Sequence, residues 1–139
     1  MCSWQSPTAS TARLSGVNAA TRRFDISANN VANLESVAAP NGSTATTDAD
    51  GNALFRAQRT LDTTTTVGGV RSSQQLADPV SVQRYDPDAP DADGEGLVNR
   101  PNVALEREAV DQIAAQRQFE ANLATIRTAD EPSSPPSTF

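Results

Sequence analysis

Histidine and lysine are absent from this chain of 139 residues, and cysteine, methionine, tryptophan and tyrosine each occur once. Without histidine there is no imidazole base, no Ser-His triad and no histidine-ligated metal. Without lysine there is no Schiff-base amine and no phosphate-loop lysine. The single Cys2 forms no internal disulfide and no CxxC site. Leu, Ile, Val and Phe total 25 residues, about 18%. A fraction below about 20% approaches the composition of chains that bury too little apolar surface to offset their conformational entropy. No apolar run approaches the roughly 20 residues of a membrane span, and the first residues lack the apolar core of a secretory signal. The formal charge is −6 with no basic stripe, which argues against nucleic acid. The expectation is one soluble, unprocessed domain that is partly disordered or completes its core on a partner. It uses no cofactor, inserts in no membrane and is not an enzyme.

Two helical segments stand out. Leu14, Val17, Phe24, Ala28 and Val31, with Ala20 and Leu34, fall within about 160° of one helix surface. Thr8 or Ser10 is placed to cap this helix, and Pro40 followed by Asn41-Gly42 to stop it. Leu105, Ala109, Ile113, Phe119, Leu123 and Ile126 occupy an arc of about 140°, with Asn102 as the expected N-cap and Pro132 as the stop. The segment between them is rich in Thr, Gly and Pro. Thr60–Val67 favours β structure before a Gly68-Gly69 turn, and Val80–Tyr85 and Gly96–Asn99 read as short strands. These features predict an α+β chain. Residues 10–39 and 102–129 form a discontinuous helical assembly domain around a β-rich or irregular insert, 40–101, with disordered tails at 1–9 and 130–139. A two-helix hairpin buries too little to stand alone, so leftover apolar surface points to assembly. Leu14, Val17, Phe24, Val31, Leu105, Ile113, Phe119, Leu123 and Ile126 are the candidate assembly stripe.

Sites for chemistry are weakly represented. The sequence DADG occurs at Asp48–Gly51 and Asp91–Gly94, but with either glycine at the sixth position of an EF-hand loop the twelfth is Ala57 or Arg100. Neither supplies the bidentate Glu, so both read as Asp-Gly turns and no metal site is expected. Glu106 and Glu108 stand two apart on a helix and do not face each other, and Ser15-Gly16 lacks a nucleophile elbow, so no catalytic residue is expected. Five carboxylates lie between Asp86 and Glu95, which supports a second reading in which this loop recruits a cation or a basic partner. In Asn29-Asn30-Val31-Ala32-Asn33, three asparagines oppose helix formation. Either the segment frays into solvent or its amides hydrogen-bond across helix contacts.

Ser27-Ala28-Asn29-Asn30-Val31-Ala32-Asn33 resembles the helix signature of bacterial flagellar rod and hook proteins. Its carriers are Ala28, Asn29, Asn30, Ala32 and Asn33. The stretch YDPDAPDADGEGLVNRPNV resembles the central segment of FlgC-type proximal rod proteins, through Tyr85, Asp86, Pro87, Pro90, Asp91, Asp93, Gly96, Pro101, Asn102 and Val103. Phe119-Glu-Ala-Asn-Leu and Thr128-Ala129 resemble that family's C-terminal helix, although Asp130-Glu131-Pro132 breaks the helix where such proteins usually extend it. The resemblance implies a structural subunit of the torque-transmitting rod in the periplasmic space. It also implies terminal helices paired as a coiled-coil hairpin, with the insert as the outer layer. The implied partners are further copies of itself, other rod subunits, the basal-body base and the flagellar type III export apparatus, which exports without a cleaved signal peptide. A diverged paralogue that binds a small partner through its acidic loop is the alternative.

Overall fold

The computed structural model describes residues 7–130. The tail expected at 130–139 lies outside the described residues beyond Asp130. So does the tail expected at 1–9, except that Pro7, Thr8 and Ala9 are already helical. Helix α1 (Pro7–Ala32) opens on the proline, whose fixed φ and missing N–H suit a first helical position. Strands β1 (Gln58–Thr64) and β2 (Val70–Leu76) form one antiparallel ribbon, and β3 (Ser81–Tyr85) and β4 (Leu97–Pro101) a second. The two ribbons are joined through a cis Asp78–Pro79 peptide. Helix α2 (Leu105–Asp130) closes the described chain. Among the described residues no helix is long and apolar enough to cross a membrane.

The architecture is α+β as expected, but the helix pairing is not the coiled coil that the resemblance implied. The helices run antiparallel. Gly16 lies against Asn122, Arg23 Nη1 donates to Gln118 Oε1 at 2.8 Å, and Ser27 Oγ donates to the Glu108 carbonyl at 3.1 Å. The buried residues along this contact are small or polar: Ala19, Ala20, Ser27, Asn30, Glu108 and Ala115. A coiled-coil seam instead buries large knobs at a and d positions. Here Leu14, Phe24, Leu105 and Ile113 are 57%, 43%, 51% and 56% exposed. Wheel geometry accounts for this, because Phe24 projects about 80° and Val17 about 100° away from Gly16, which sits in the contact.

The core is correspondingly thin. Among the described residues, those buried and apolar are seven alanines with Ile26 and Val98. An alanine contributes one methyl, worth about 0.8 kcal/mol when buried, so polar contacts carry much of the tertiary specification. The β1–β2 ribbon lies along α1 and is tied to it three times. Asn30 holds Gln58 at the base, Arg23 pairs with Asp62 at mid-strand, and Ser15 Oγ accepts the Val70 N–H at 3.0 Å beside the tip. The lengths match: from Ser15 to Asn30 the helix rises about 22 Å, and Gln58 to Thr64 spans about 20 Å. The tip closes tightly because Gly69, at φ +99°, lets the main chain come against Ser15 and Ala12, where a Cβ would stand 3.1 Å from the Ala12 Cα. The segment after α1 links the stretch before β1 to strand β4. Ala39 N–H donates to Phe55 O at 2.9 Å and Ala38 N–H to Asn99 O, on β4, at 3.0 Å.

Strand β2, VRSSQQL, is polar at five of its seven positions and gives no apolar alternation to read. It forms because β1 and the tip turn present a complete ladder in the register Thr64↔Val70 to Gln58↔Leu76. Asn102 does not cap α2. Its side chain donates to Pro79 O at 2.9 Å and its N–H to Val80 O at 3.1 Å, and the helix starts three residues later.

The close helix contact yields a direct test. A Cβ on Gly16 would stand 2.8–3.0 Å from the Asn122 carboxamide. Gly16→Val is expected to lower unfolding free energy by about 1–3 kcal/mol, measured by chemical denaturation, and Gly16→Val with Asn122→Gly to recover part of that loss.

Candidate assembly surface

Three features were candidates: the asparagine cluster, the helix stripe and the acidic insert. The cluster resolves into three different environments. Asn30 is 3% exposed. Its Nδ2 donates to Gln58 O at 2.8 Å and to Glu108 Oε1 at 3.2 Å, while its Oδ1 accepts the Gln58 N–H at 3.1 Å. One side chain therefore continues the β-ladder pattern onto Gln58 and reaches α2 as well. Asn29 is exposed, and Asn33 Nδ2 donates back to Asn29 O at 2.9 Å, finishing the helix locally. Ala28 is half-buried and Ala32 exposed. The sequence leaves fraying and cross-contact bonding open; Asn30 does the second, with Gln58 and Glu108 as partners.

The stripe forms one face. Val17 and Val31 are half-buried beside the exposed Leu14 and Phe24, and Phe119, Leu123 and Ile126 are half-buried on α2 beside the exposed Leu105 and Ile113. Between the helices, Ala20, Thr21, Phe24, Ala115, Gln116 and Phe119 line an apolar groove of about 310 Å³. A second cavity of about 220 Å³ lies between α1, β1 and α2, lined by Ile26, Ser27, Asn30 and Glu108 with Arg23, Arg59, Arg107 and Asp111. The groove is the apolar one of the two and contains the stripe's two phenylalanines.

In the acidic insert two of the five carboxylates, those of Asp91 and Asp93, are bonded within the insert itself. Asp91 accepts two bonds from Arg100, at 2.8 and 3.2 Å, and Asp93 Oδ1 accepts the N–H groups of Glu95 and Leu97, each at 2.9 Å. Gly96 is buried at φ +76°, where a Cβ would meet the Tyr85 ring and Pro87 at 3.1 Å. Tyr85 is exposed, Asp86 N–H donates to Gly96 O at 2.9 Å, and the exposed Pro90 precedes Asp91. Pro101 is buried, and Val103 N–H donates to Pro101 O at 2.8 Å as the chain turns toward α2. No group of three carboxylate or thiol side chains converges for a metal among the described residues. At the other DADG, Asp48 Oδ1 accepts the N–H of Asp50 and of Asn52, at 2.9 and 2.8 Å, and Oδ2 accepts Asn52 Nδ2 at 3.0 Å. Both DADG segments are side-chain-capped turns, using Asp48 in the first and Asp93 in the second.

A thin alanine core beside an uncovered apolar face is the build of a subunit belonging to a larger structure. Residues 95–134 match the family model described as the flagellar basal body rod FlgEFG protein C-terminal. Over 120 residues the chain is 32% identical to a flagellar basal-body rod protein FlgC of Yersinia enterocolitica, covering 82% of each. It is 32% identical over 118 residues to that of Buchnera aphidicola, covering 83% of each, and 51% identical over 39 residues to that of Aquifex aeolicus, covering 28% of this chain and 29% of that protein. The chain belongs to the FlgC family of flagellar basal-body rod proteins.

Two measurements follow. Asn30→Ala leaves the Gln58 N–H and the Glu108 carboxylate without a partner. It is expected to cost about 2–4 kcal/mol, against less than about 0.5 kcal/mol for the exposed Asn29→Ala, compared by thermal denaturation. The second concerns acid. The Asn52 side chain and main-chain N–H, donating to Asp48, hold its carboxyl below the usual carboxylate range. A group with a depressed folded-state pKa stabilises above its unfolded pKa and loses that contribution as pH falls through the folded value. The Asn52 amide resonance is therefore expected to stay unmoved where a carboxyl of an unstructured peptide protonates, and to shift only at more acid pH.

Proposed function

We propose that this chain is a structural subunit of the flagellar rod that builds into the shaft through the Leu14–Phe24–Phe119–Leu123 face of its helix pair. The observation that carries the reading is that face: Leu14 and Phe24 exposed beside the half-buried Phe119 and Leu123, while the helix contact is made by small and polar residues. Covering it with a neighbour removes apolar surface from water at about 25 cal/mol per Å², which the thin core does not supply within one chain. The relatives are flagellar basal-body rod proteins by name, and family membership supports the same location here. On this reading the helical segments 10–39 and 102–129 form the assembly domain and the insert 40–101 the outer layer. The neighbours are other copies and other rod subunits, with the basal-body base below. The rod crosses the periplasmic space and transmits torque, and delivery is by the type III export apparatus. The role is mechanical and involves no catalysis.

The reading of the chain as a small binding protein acting through its acidic loop is not retained. Asp91 and Asp93 are engaged within the loop itself, and the relatives are rod proteins.

Phe24→Asp and Leu123→Asp place a charge on this face. Phe24 is already 43% exposed, so its replacement is expected to leave the isolated chain folded. In the native strain both substitutions are expected to abolish swimming and to remove the chain from purified basal bodies, as read by mass spectrometry. Normal motility in both would overturn the assignment of the face.

A further inference from the structure

Asn41 and Gly42 form the middle of a turn in which Ser43 N–H donates to Pro40 O at 3.1 Å, and Gly42 takes a φ of +76°. This is the sign a type II turn requires at its third position. Asparagine followed by glycine is the dipeptide most open to spontaneous deamidation, because no side chain hinders the glycine nitrogen as it approaches the carboxamide carbon. Both residues are exposed, and nothing lies within 4 Å of where a Gly42 Cβ would stand. Yet the carboxamide is held at both ends. Ser81 N–H donates to Asn41 Oδ1 at 3.0 Å, and Asn41 Nδ2 donates to Ser81 O at 3.0 Å. Ser81 is the first residue of β3 and 2% exposed. Attack by the Gly42 nitrogen requires Cγ to swing over the main chain, which pulls the carboxamide off Ser81.

We propose that Asn41 is a spontaneous deamidation site that its own clamp on Ser81 keeps closed, and that its conversion unlocks the start of β3. The Gly42 main-chain nitrogen loses its proton to solvent base and bonds to Asn41 Cγ. The C–N bond of the carboxamide breaks and, with a proton from water, ammonia leaves. Water then opens the five-membered imide at either carbonyl, giving aspartate or its β-linked isomer. Neither product restores the clamp. The carboxylate still accepts the Ser81 N–H but has no hydrogen to donate, so it sets a negative charge against the Ser81 carbonyl. The β-linked isomer also lengthens the main chain by one atom. Asn30 makes the same paired contact with Gln58 but precedes Val31, whose branched side chain blocks the attack, so the chemistry selects Asn41. This inference does not depend on the rod reading.

The test ages the full-length chain at mildly alkaline pH, folded or in urea, and maps deamidation by peptide mass spectrometry. Conversion at Asn41 is expected to be at least about tenfold slower in the folded chain, since it proceeds only through local opening. Hydrogen exchange at Ser81 is expected to quicken about tenfold in the converted fraction, and Asn41→Asp to reproduce that change. Equal rates with and without urea would overturn the protection. No conversion at Asn41 in urea would overturn the site. Unchanged Ser81 exchange in the converted chain would overturn the unlocking, and because that fraction is aged wild-type protein, the readout stands even where Asn41→Asp does not fold.

Discussion

One carboxamide, that of Asn30, ties α1 to both the β1–β2 ribbon and α2. It presents an N–H donor and a C=O acceptor in the geometry of a main-chain peptide, and Gln58 fills both, so α1 itself supplies the first rung of the ribbon that follows. Its remaining donor hydrogen reaches Glu108 and ties the same point to the first turns of α2. A buried amide with partners for every group costs little; with one partner missing it becomes a liability. Placed 3% exposed, Asn30 therefore excludes other registers of helix and ribbon more sharply than a leucine there would. Asn41 repeats the device at Ser81. The chain uses amides where richer sequences use apolar volume, which is how a composition with about 18% Leu, Ile, Val and Phe still specifies a fold.

The same economy explains the bare face. Glycine and alanine at the helix contact let the two axes approach closely, and they leave larger side chains such as Leu14, Phe24 and Ile113 exposed on the flank among the described residues. The β1–β2 ribbon lies against one flank of α1, fixed by Arg23–Asp62 and Ser15–Val70. The opposite flank carries Phe24, next to Phe119. The hairpin is thus two-sided, with the chain's own ribbon against one flank and an exposed apolar flank on the other, the one proposed above as the assembly face.

Both helices and three of the four strands were legible in the sequence, because periodicity, Gly-Gly and Pro punctuation and β-branched runs are local signals. The stripe was legible as a stripe but not as an outward face. A helical wheel shows which residues share a side, and only the partner's approach decides which side is the seam. The small residues that define the seam, Gly16 and Ala20 on α1 and Ala115 on α2, carry no hydropathy signal. Asn30 was legible as an anomaly in a helix; that Gln58 answers it depends on a contact across 28 positions. Strand β2 was invisible because its residues are polar and its ladder is provided by β1. The capping role of Asn102 failed because Pro79 O competes for the same side chain.

The three ties between α1 and its ribbon lie along the helix axis, at Ser15, Arg23 and Asn30. A pull along that axis loads them side by side in shear, so they share the force and yield together, whereas a pull at one end of the ribbon would peel them off one at a time. Twisting or stretching of the helix pair therefore carries the β1–β2 ribbon along with it, and the weak direction is outward at the Gly68-Gly69 tip, where the contacts with Ser15 and Ala12 resist.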